Sequence, residues 1–343
     1  MADKQPEVIE AVLRSSALYR GEIRVSETRT PGSLNLRSGR KVKDLLQPLL
    51  FWFLKNTPAA LALAPFHLIA GLGHILYWVP SNPLRQSCTD ICRIAAGHGH
   101  RHEPAVVYRQ FLRNFVSAGR GYHLLLRGGP AAVEGRVEFG ADCQRKANDA
   151  LESYGGVIVA CPHNFGSAFS ALEMNRSIPV IGIMKNSATI KRTKLALEAF
   201  ERMQVRVLMV RSGNPFELSR AMFSALKEGN VVAATVDNVV QGEGAVHARI
   251  FGQDVPFAPW AAKIAAKKRA PLVPSFYHSQ GDRIVAAWGE PLVTGDQQEA
   301  MQHYVSFFES KILEDPASWV YLADRKWRRA LRNAAAAQSS STT

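Results

Sequence analysis

The stretch GVIVACPHNFGSAFSALEMN, Gly156 to Asn175, brings a histidine to the end of an apolar run and starts a helix-like pattern directly after it. An imidazole has a near-neutral pKa and can take a proton from a hydroxyl at physiological pH. Pro162 and Gly166 tighten the turn around His163. General-base chemistry also needs an acid that fixes the ring's tautomer and supports the positive charge formed on it. Two carboxylates are candidates. Glu173 lies ten residues after His163, and if Ser167 caps the helix, Ser170 and Glu173 share one helical face. Long helical side chains lean toward the N-terminus, so Glu173 leans over Ser170 toward the loop and could act directly, through Ser170, or through water. Asp237 ends the apolar run VVAATVD, with Asn238 after it. It could approach His163 across the sheet edge, and a loop-holding role is expected of it before a direct one.

The elements that must position these groups are legible as an alternation. From Val133 onward, short apolar runs (GVIVAC, IPVIGIMK, VRVLMVR, VVAATVD) alternate with helix-like segments. Continuously apolar strands between helices predict an α/β fold, a mostly parallel sheet covered by helices on both faces. In such sheets the working groups gather at the carboxyl ends of strands. His163, Lys185, Arg211 and Asp237 stand at those ends. Lys185 and Arg211 are candidate ligands for a phosphate or for the donor side of a substrate; a solvated strand-end charge is the plainer reading of each. Asparagine 214, Pro215, Glu217 and Gly229 give one helix its start and stop signals.

The N-terminal part has a different character. Residues 1–44 are polar, with basic residues bunched in RSGRKVK, Arg37 to Lys43. Residues 45–80 form an apolar segment with no Lys, Arg, Asp or Glu between Pro58 and Pro80, and with Trp52, Tyr77 and Trp78 at its ends. That length suffices to cross a bilayer core, and aromatic ends suit an interface. A spanning helix, an embedded hairpin, an interfacial segment and a buried helix pair all satisfy the pattern. Residues 81–331 form the main domain, opening with two helices over 83–128, and 332–343 (NAAAAQSSSTT) are expected to be disordered. Between the two helices, His98, His100 and His102 fit no standard metal-ligand spacing, so a polar loop and no metal are expected.

The 343 residues carry a formal charge of +13. Such a balance calls for an anionic partner: an acidic membrane surface, an acidic carrier protein or nucleic acid. Lys263, Lys267, Lys268 and Arg269 on one helix, with Lys191, Arg192 and Lys194, supply basic surface for it. No recognition-helix motif, zinc finger or aromatic-basic RNA platform is present, which disfavours nucleic acid. Four cysteines in this length form no disulfide framework, and MADKQPEVIE has no apolar signal region. A nucleotide-dependent transferase is disfavoured by the lack of a phosphate-binding glycine motif.

Five stretches, in order, carry a family resemblance: YRQFLRNFVSAG after the apolar segment, HNFGSAF, ALKEGNVVAATVDN, ARIFGQDVPFAPWAAKIAAKKRAPLVPSFYH and DPASWVYLADRKWR. From about Asp44 to Arg329 the chain resembles the bacterial lipid A biosynthesis acyltransferases, the lauroyl and myristoyl transferases of the lysophospholipid acyltransferase superfamily. The resemblance implies transfer of a fatty acyl group from an acyl thioester, on acyl carrier protein or coenzyme A, to a hydroxyl of a lipid or glycolipid acceptor. It implies His163 as base, no cofactor beyond that co-substrate, and a place on the cytoplasmic face of a bacterial inner membrane. The family's acid stands five residues after its histidine. That position here is Ala168, so Glu173 is the expected replacement. A relative that has lost the dyad and only binds lipid is the rival expectation.

Overall fold

The computed structural model describes residues 8–10, 22–24, 36–184, 190–209, 215–240 and 244–341. Two short strands, β1 (Val8–Glu10) and β2 (Glu22–Arg24), pair antiparallel ahead of the helices. Four helices follow: α1 (Leu36–Asn56), α2 (Ala59–Leu76), α3 (Pro83–Gly97) and α4 (Pro104–Gly128). The alternating region then runs β3 (Val137–Phe139), α5 (Ala141–Tyr154), β4 (Val157–Cys161), α6 (Ser167–Met174), β5 (Val180–Met184), α7 (Ile190–Arg202), β6 (Arg206–Met209), α8 (Pro215–Lys227) and β7 (Val231–Thr235). A small antiparallel hairpin, β8 (Val246–Ile250) and β9 (Gln253–Phe257), precedes α9 (Trp260–Lys268). The chain closes with β10 (Leu272–Gln280), β11 (Arg283–Trp288), α10 (Gln297–Glu314) and α11 (Arg325–Ser341).

The expected α/β architecture is present: one seven-stranded sheet of order β3-β11-β10-β4-β7-β5-β6, flanked by eleven helices among the described residues. Every pairing in it is parallel except β10 with β11. The strands β4 and β7 lie side by side at its centre, and their apolar side chains enter a core on each face. That burial on both faces is why these strands read as unbroken apolar runs rather than alternating ones. Gly156 opens β4 because nothing larger fits: a Cβ there would lie 2.1 Å from the Leu226 carbonyl oxygen, at the end of α8.

Two boundaries fall inside elements. The break expected at 44/45 lies within α1, and the one at 331/332 within α11. The C-terminal stretch expected to be disordered is helical as far as Ser341. Ala334 and Ala335 are buried, and Gln338 reaches the Ile94 carbonyl of α3. Alanine is the best helix former, and its small side chain lets two helices approach closely.

The apolar N-terminal segment is a helical hairpin rather than a buried pair. α2 rests on α4 through Ala62, Phe66 and Ala70, with Phe66 against Phe115 at 5.2 Å between ring centres. Its opposite face is bare: Leu68 is 65% and Ile75 69% exposed, and Leu61, Ile69, Leu72 and Trp78 are open as well. By length and composition α2 is the one helix among the described residues that could cross a membrane.

Candidate active site

The site follows from the register of two strands. β4 and β7 run parallel with Cys161 opposite Thr235. Two residues beyond each of these stand His163 and Asp237, so the chain delivers an imidazole and a carboxylate to the same point on the carboxyl edge. His163 Nδ1 hydrogen-bonds Asp237 Oδ1. The carboxylate accepts, so Nδ1 carries the proton and Nε2 is the bare, basic nitrogen.

Asp237 is 2% exposed. A buried carboxylate is tolerated when hydrogen-bond donors surround it. Three converge on Asp237: the His163 ring, the His163 backbone N–H at 3.0 Å and the Trp319 indole N–H at 2.8 Å. The Trp327 indole donates to the Asp237 carbonyl at 3.0 Å. Both tryptophans are fully buried and meet edge to face. They come from the C-terminal stretch, which is tied to the histidine loop by Val320 N–H to the His163 carbonyl at 2.7 Å and by Asn164 Nδ2 to the Ser318 carbonyl at 3.1 Å. The histidine loop is therefore clamped from both sides.

Nε2 faces two hydroxyls, those of Thr235 and Tyr321, each at 3.1 Å. The Tyr321 ring stacks on the imidazole with centres 4.1 Å apart, and its hydroxyl donates to Asn238 Oδ1 at 2.7 Å. Burial, and then the charges of Asp237 and Asp324, raise the Tyr321 phenol above its ordinary value, so it stays protonated. The Cys161 thiol, two residues before His163, is pushed up to about 12 by burial and by the Asp237 charge. It remains a thiol and offers no nucleophile.

The expected site residues are distributed as follows. The carboxylate at His163 is Asp237 and not Glu173. Glu173 lies on α6 with its carboxylate 3.5 Å from Arg176 Nε, and Arg176 also pairs with Glu134. It leans along its own helix end, as i to i+3 spacing allows. Ser170 is fully buried and donates to the Gly166 carbonyl at 3.0 Å, so its hydroxyl satisfies its own helix and does not face the site. Asn238 holds Tyr321. Lys185 and Arg211 lie outside the described residues, as do the side chains of Lys191, Arg192 and Lys194. Thr235, Trp319, Tyr321 and Trp327 were not anticipated as site residues. The signal for three of them lay in the aromatic-rich run DPASWVYLADRKWR.

An imidazole held through Nδ1 by a buried carboxylate at a strand edge can deprotonate a hydroxyl at Nε2 and return the proton to a leaving group. A comparison with curated proteins finds no match. Residues 94–329, from α3 into α11, match the family described as bacterial lipid A biosynthesis acyltransferase. That span holds the whole seven-stranded sheet, the His163–Asp237 pair and both tryptophans, and the chain belongs to the bacterial lipid A biosynthesis acyltransferase family.

Proposed function

We propose that the protein moves a fatty acyl group from an acyl thioester, on acyl carrier protein or coenzyme A, to a hydroxyl of a lipid or glycolipid acceptor, with His163 as general base. The observation that carries this reading is the pairing of His163 Nδ1 with Asp237, which leaves Nε2 free of a proton. In the proposed step Nε2 takes the acceptor's hydroxyl proton as the oxygen attacks the thioester carbonyl. The tetrahedral intermediate collapses with loss of the carbon–sulfur bond, and the imidazolium returns its proton to the thiolate. Asp237 keeps its charge throughout and supports the imidazolium. An intact dyad favours an enzyme over a lipid-binding relative that has lost it.

The membrane is the proposed place of action, on the cytoplasmic face of the inner membrane. The support is the bare face of α2, where large apolar side chains stand unpartnered. Lying in the interface suits this helix better than crossing. α2 is packed along α4, which carries Arg109, Arg113, Arg120 and Arg127. Carrying arginines to mid-bilayer costs about 2.5–3.5 kcal/mol each. A helix with one apolar face open and the other on the protein lies flat.

The test is acyl transfer from labelled acyl carrier protein and from labelled acyl-coenzyme A to a total membrane lipid extract. His163→Ala is expected to lower the rate by roughly 10²–10⁴-fold, the range of general acid–base catalysis. Undiminished transfer in that variant would remove His163 from the chemistry. Tyr321 separates two contributions. Tyr321→Phe keeps the stacked ring and removes one neutral hydrogen bond, so the change in kcat/KM is expected to stay within about tenfold. Tyr321→Ala frees the imidazole to rotate and is expected to lower kcat further. Equal effects of the two changes would place the whole contribution in the hydroxyl.

A further inference from the structure

The opposite end of the sheet carries a second concavity. A cavity of about 700 Å³ opens between the end of α5, the outer face of α8 and the end of α9. Gly156, Leu226 and Ala270, which line it, stand just before the starts of β4, β7 and β10. It therefore lies at the amino edge of the central strands, while His163 and Asp237 lie past the carboxyl edge. Five-residue strands at about 3.3 Å per residue separate the two by roughly 17 Å. Its floor is fixed, because at Gly156 the α8 turn and β4 approach without room for a side chain.

The lining is cationic. Arg220 and Lys227 come from α8, and Lys268 and Arg269 from the end of α9. Among the described residues none of these four is ion-paired, and no carboxylate lines the cavity. Glu228, next to Lys227, accepts instead from the Ser224 hydroxyl at 2.9 Å. The Lys268 ammonium sits over the Phe223 ring, 4.1 Å from its centre, so its position is set in advance. Exposed Tyr154 completes the rim.

Helix C-termini attract cations, which accounts for Lys227 and Lys268 taken singly. It does not account for the backbone conformation of Arg269. This residue caps α9 in the left-handed conformation, at φ 48° and ψ 39°. Glycine ordinarily takes that place, and a side chain there is strained. Four like charges gathered around one concavity repel until an anion sits among them.

We infer that this cavity binds a phosphate-bearing ligand, away from the catalytic centre. Phosphate accepts several charge-assisted hydrogen bonds at once, and arginine and lysine together suit it. The volume admits more than a bare phosphate and falls within the range of small-ligand sites. A concave wall favours a small molecule over an acidic protein, which docks on a broad face. The distance from His163 excludes the ligand from the acyl-transfer step, so its binding acts on the fold's stability or on its hold at a surface.

The test uses the full chain in mild detergent, with binding as the readout, so that it stands or falls apart from the acyl-transfer reading. Inorganic pyrophosphate is titrated by calorimetry at fixed ionic strength, with chloride as the control anion. Vesicles of phosphatidylglycerol against phosphatidylcholine report the lipid-borne form of the same chemistry. Wild type is expected to bind pyrophosphate, or to prefer phosphatidylglycerol vesicles, and Arg220→Gln/Lys268→Gln to do so at least tenfold more weakly. Preference for vesicles alone would assign the headgroup as the source, and pyrophosphate binding a soluble one. Arg269→Gly adds a readout that a structural role cannot mimic: a melting midpoint no lower than wild type, with weaker binding. Affinity unchanged by both sets of substitutions overturns the inference, as does failure of wild type to respond to either probe.

Discussion

Asp237→Asn is expected to lower acyl transfer by roughly 10³-fold or more while the protein still folds, an effect of the size seen where a triad carboxylate becomes an amide. The reason lies in the direction of three hydrogen bonds. Both oxygens of Asp237 accept: one from Nδ1 of His163, the other from the Trp319 indole and the His163 backbone N–H. An amide keeps one acceptor oxygen. If that oxygen stays with Trp319 and the backbone, the NH2 group faces Nδ1, and Nδ1 must give up its proton to become the acceptor. The proton then resides on Nε2, and the nitrogen that should receive the acceptor's proton already holds one. The reverse flip leaves the buried indole N–H against an N–H, at a cost of about 1–3 kcal/mol for the unmade bond. Either way the base is lost or the clamp is weakened. Glu173→Gln, by contrast, is expected to change the rate by less than about threefold, because its carboxylate meets Arg176. Initial rates of the two variants, measured beside their melting curves, check this. A well-folded Asp237→Asn that keeps a tenth of wild-type activity would show that the pairing is structural only.

Why the sequence names Asp237 as a candidate yet ranks Glu173 ahead of it is a question of range. The alternation of apolar runs and helical segments is local, and it places His163 and Asp237 at strand ends without any tertiary knowledge. Which strand ends are neighbours is not local. β7 lies between β4 and β5 although it follows both in the chain, so the partner stands 74 residues away. A search along the helix after His163 meets Glu173 first, and nothing in helical spacing says that Arg176 occupies it. The same limit hides the tryptophan clamp: DPASWVYLADRKWR reads as an aromatic-rich ending, and only its return to the histidine loop, through the Val320 and Asn164 hydrogen bonds, gives Trp319 a carboxylate to hold. The C-terminal run NAAAAQSS misled in another way. Its low hydrophobic bulk suggested disorder, whereas small side chains are what close packing of α11 on α3 requires. The basic run of α9 was legible as charge, but its concavity depends on Arg220 and Lys227, which arrive from α8.

Replacing the bare face of α2 is expected to have a large effect as well, and on a different observable. The triple change Leu68→Asp, Leu72→Asp and Ile75→Asp is expected to release the protein from vesicles by at least 100-fold, with little change in melting temperature. These side chains touch solvent rather than the core, all three being at least half exposed. The fold therefore loses little with them. At a membrane, fully burying each Leu or Ile is worth about 1.5–3 kcal/mol, and three of them exceed the 2.8 kcal/mol or so that a 100-fold partition change represents. Aspartate adds a further cost at the interface. The inner face of the helix, Ala62, Phe66 and Ala70 against α4, is left intact, so α2 stays folded on the protein. Co-sedimentation with vesicles reads the release, and transfer to a detergent-dispersed acceptor reads whether His163 and Asp237 still work. Lost sedimentation with retained transfer in detergent is the expected pair, since the helix then serves to bring the site to its lipid and takes no part in the chemistry. Unchanged sedimentation would mean that the bare face of α2 does not anchor the chain. Transfer lost in detergent as well would tie α2 to the geometry of the site, and the separation of anchoring from catalysis would fail.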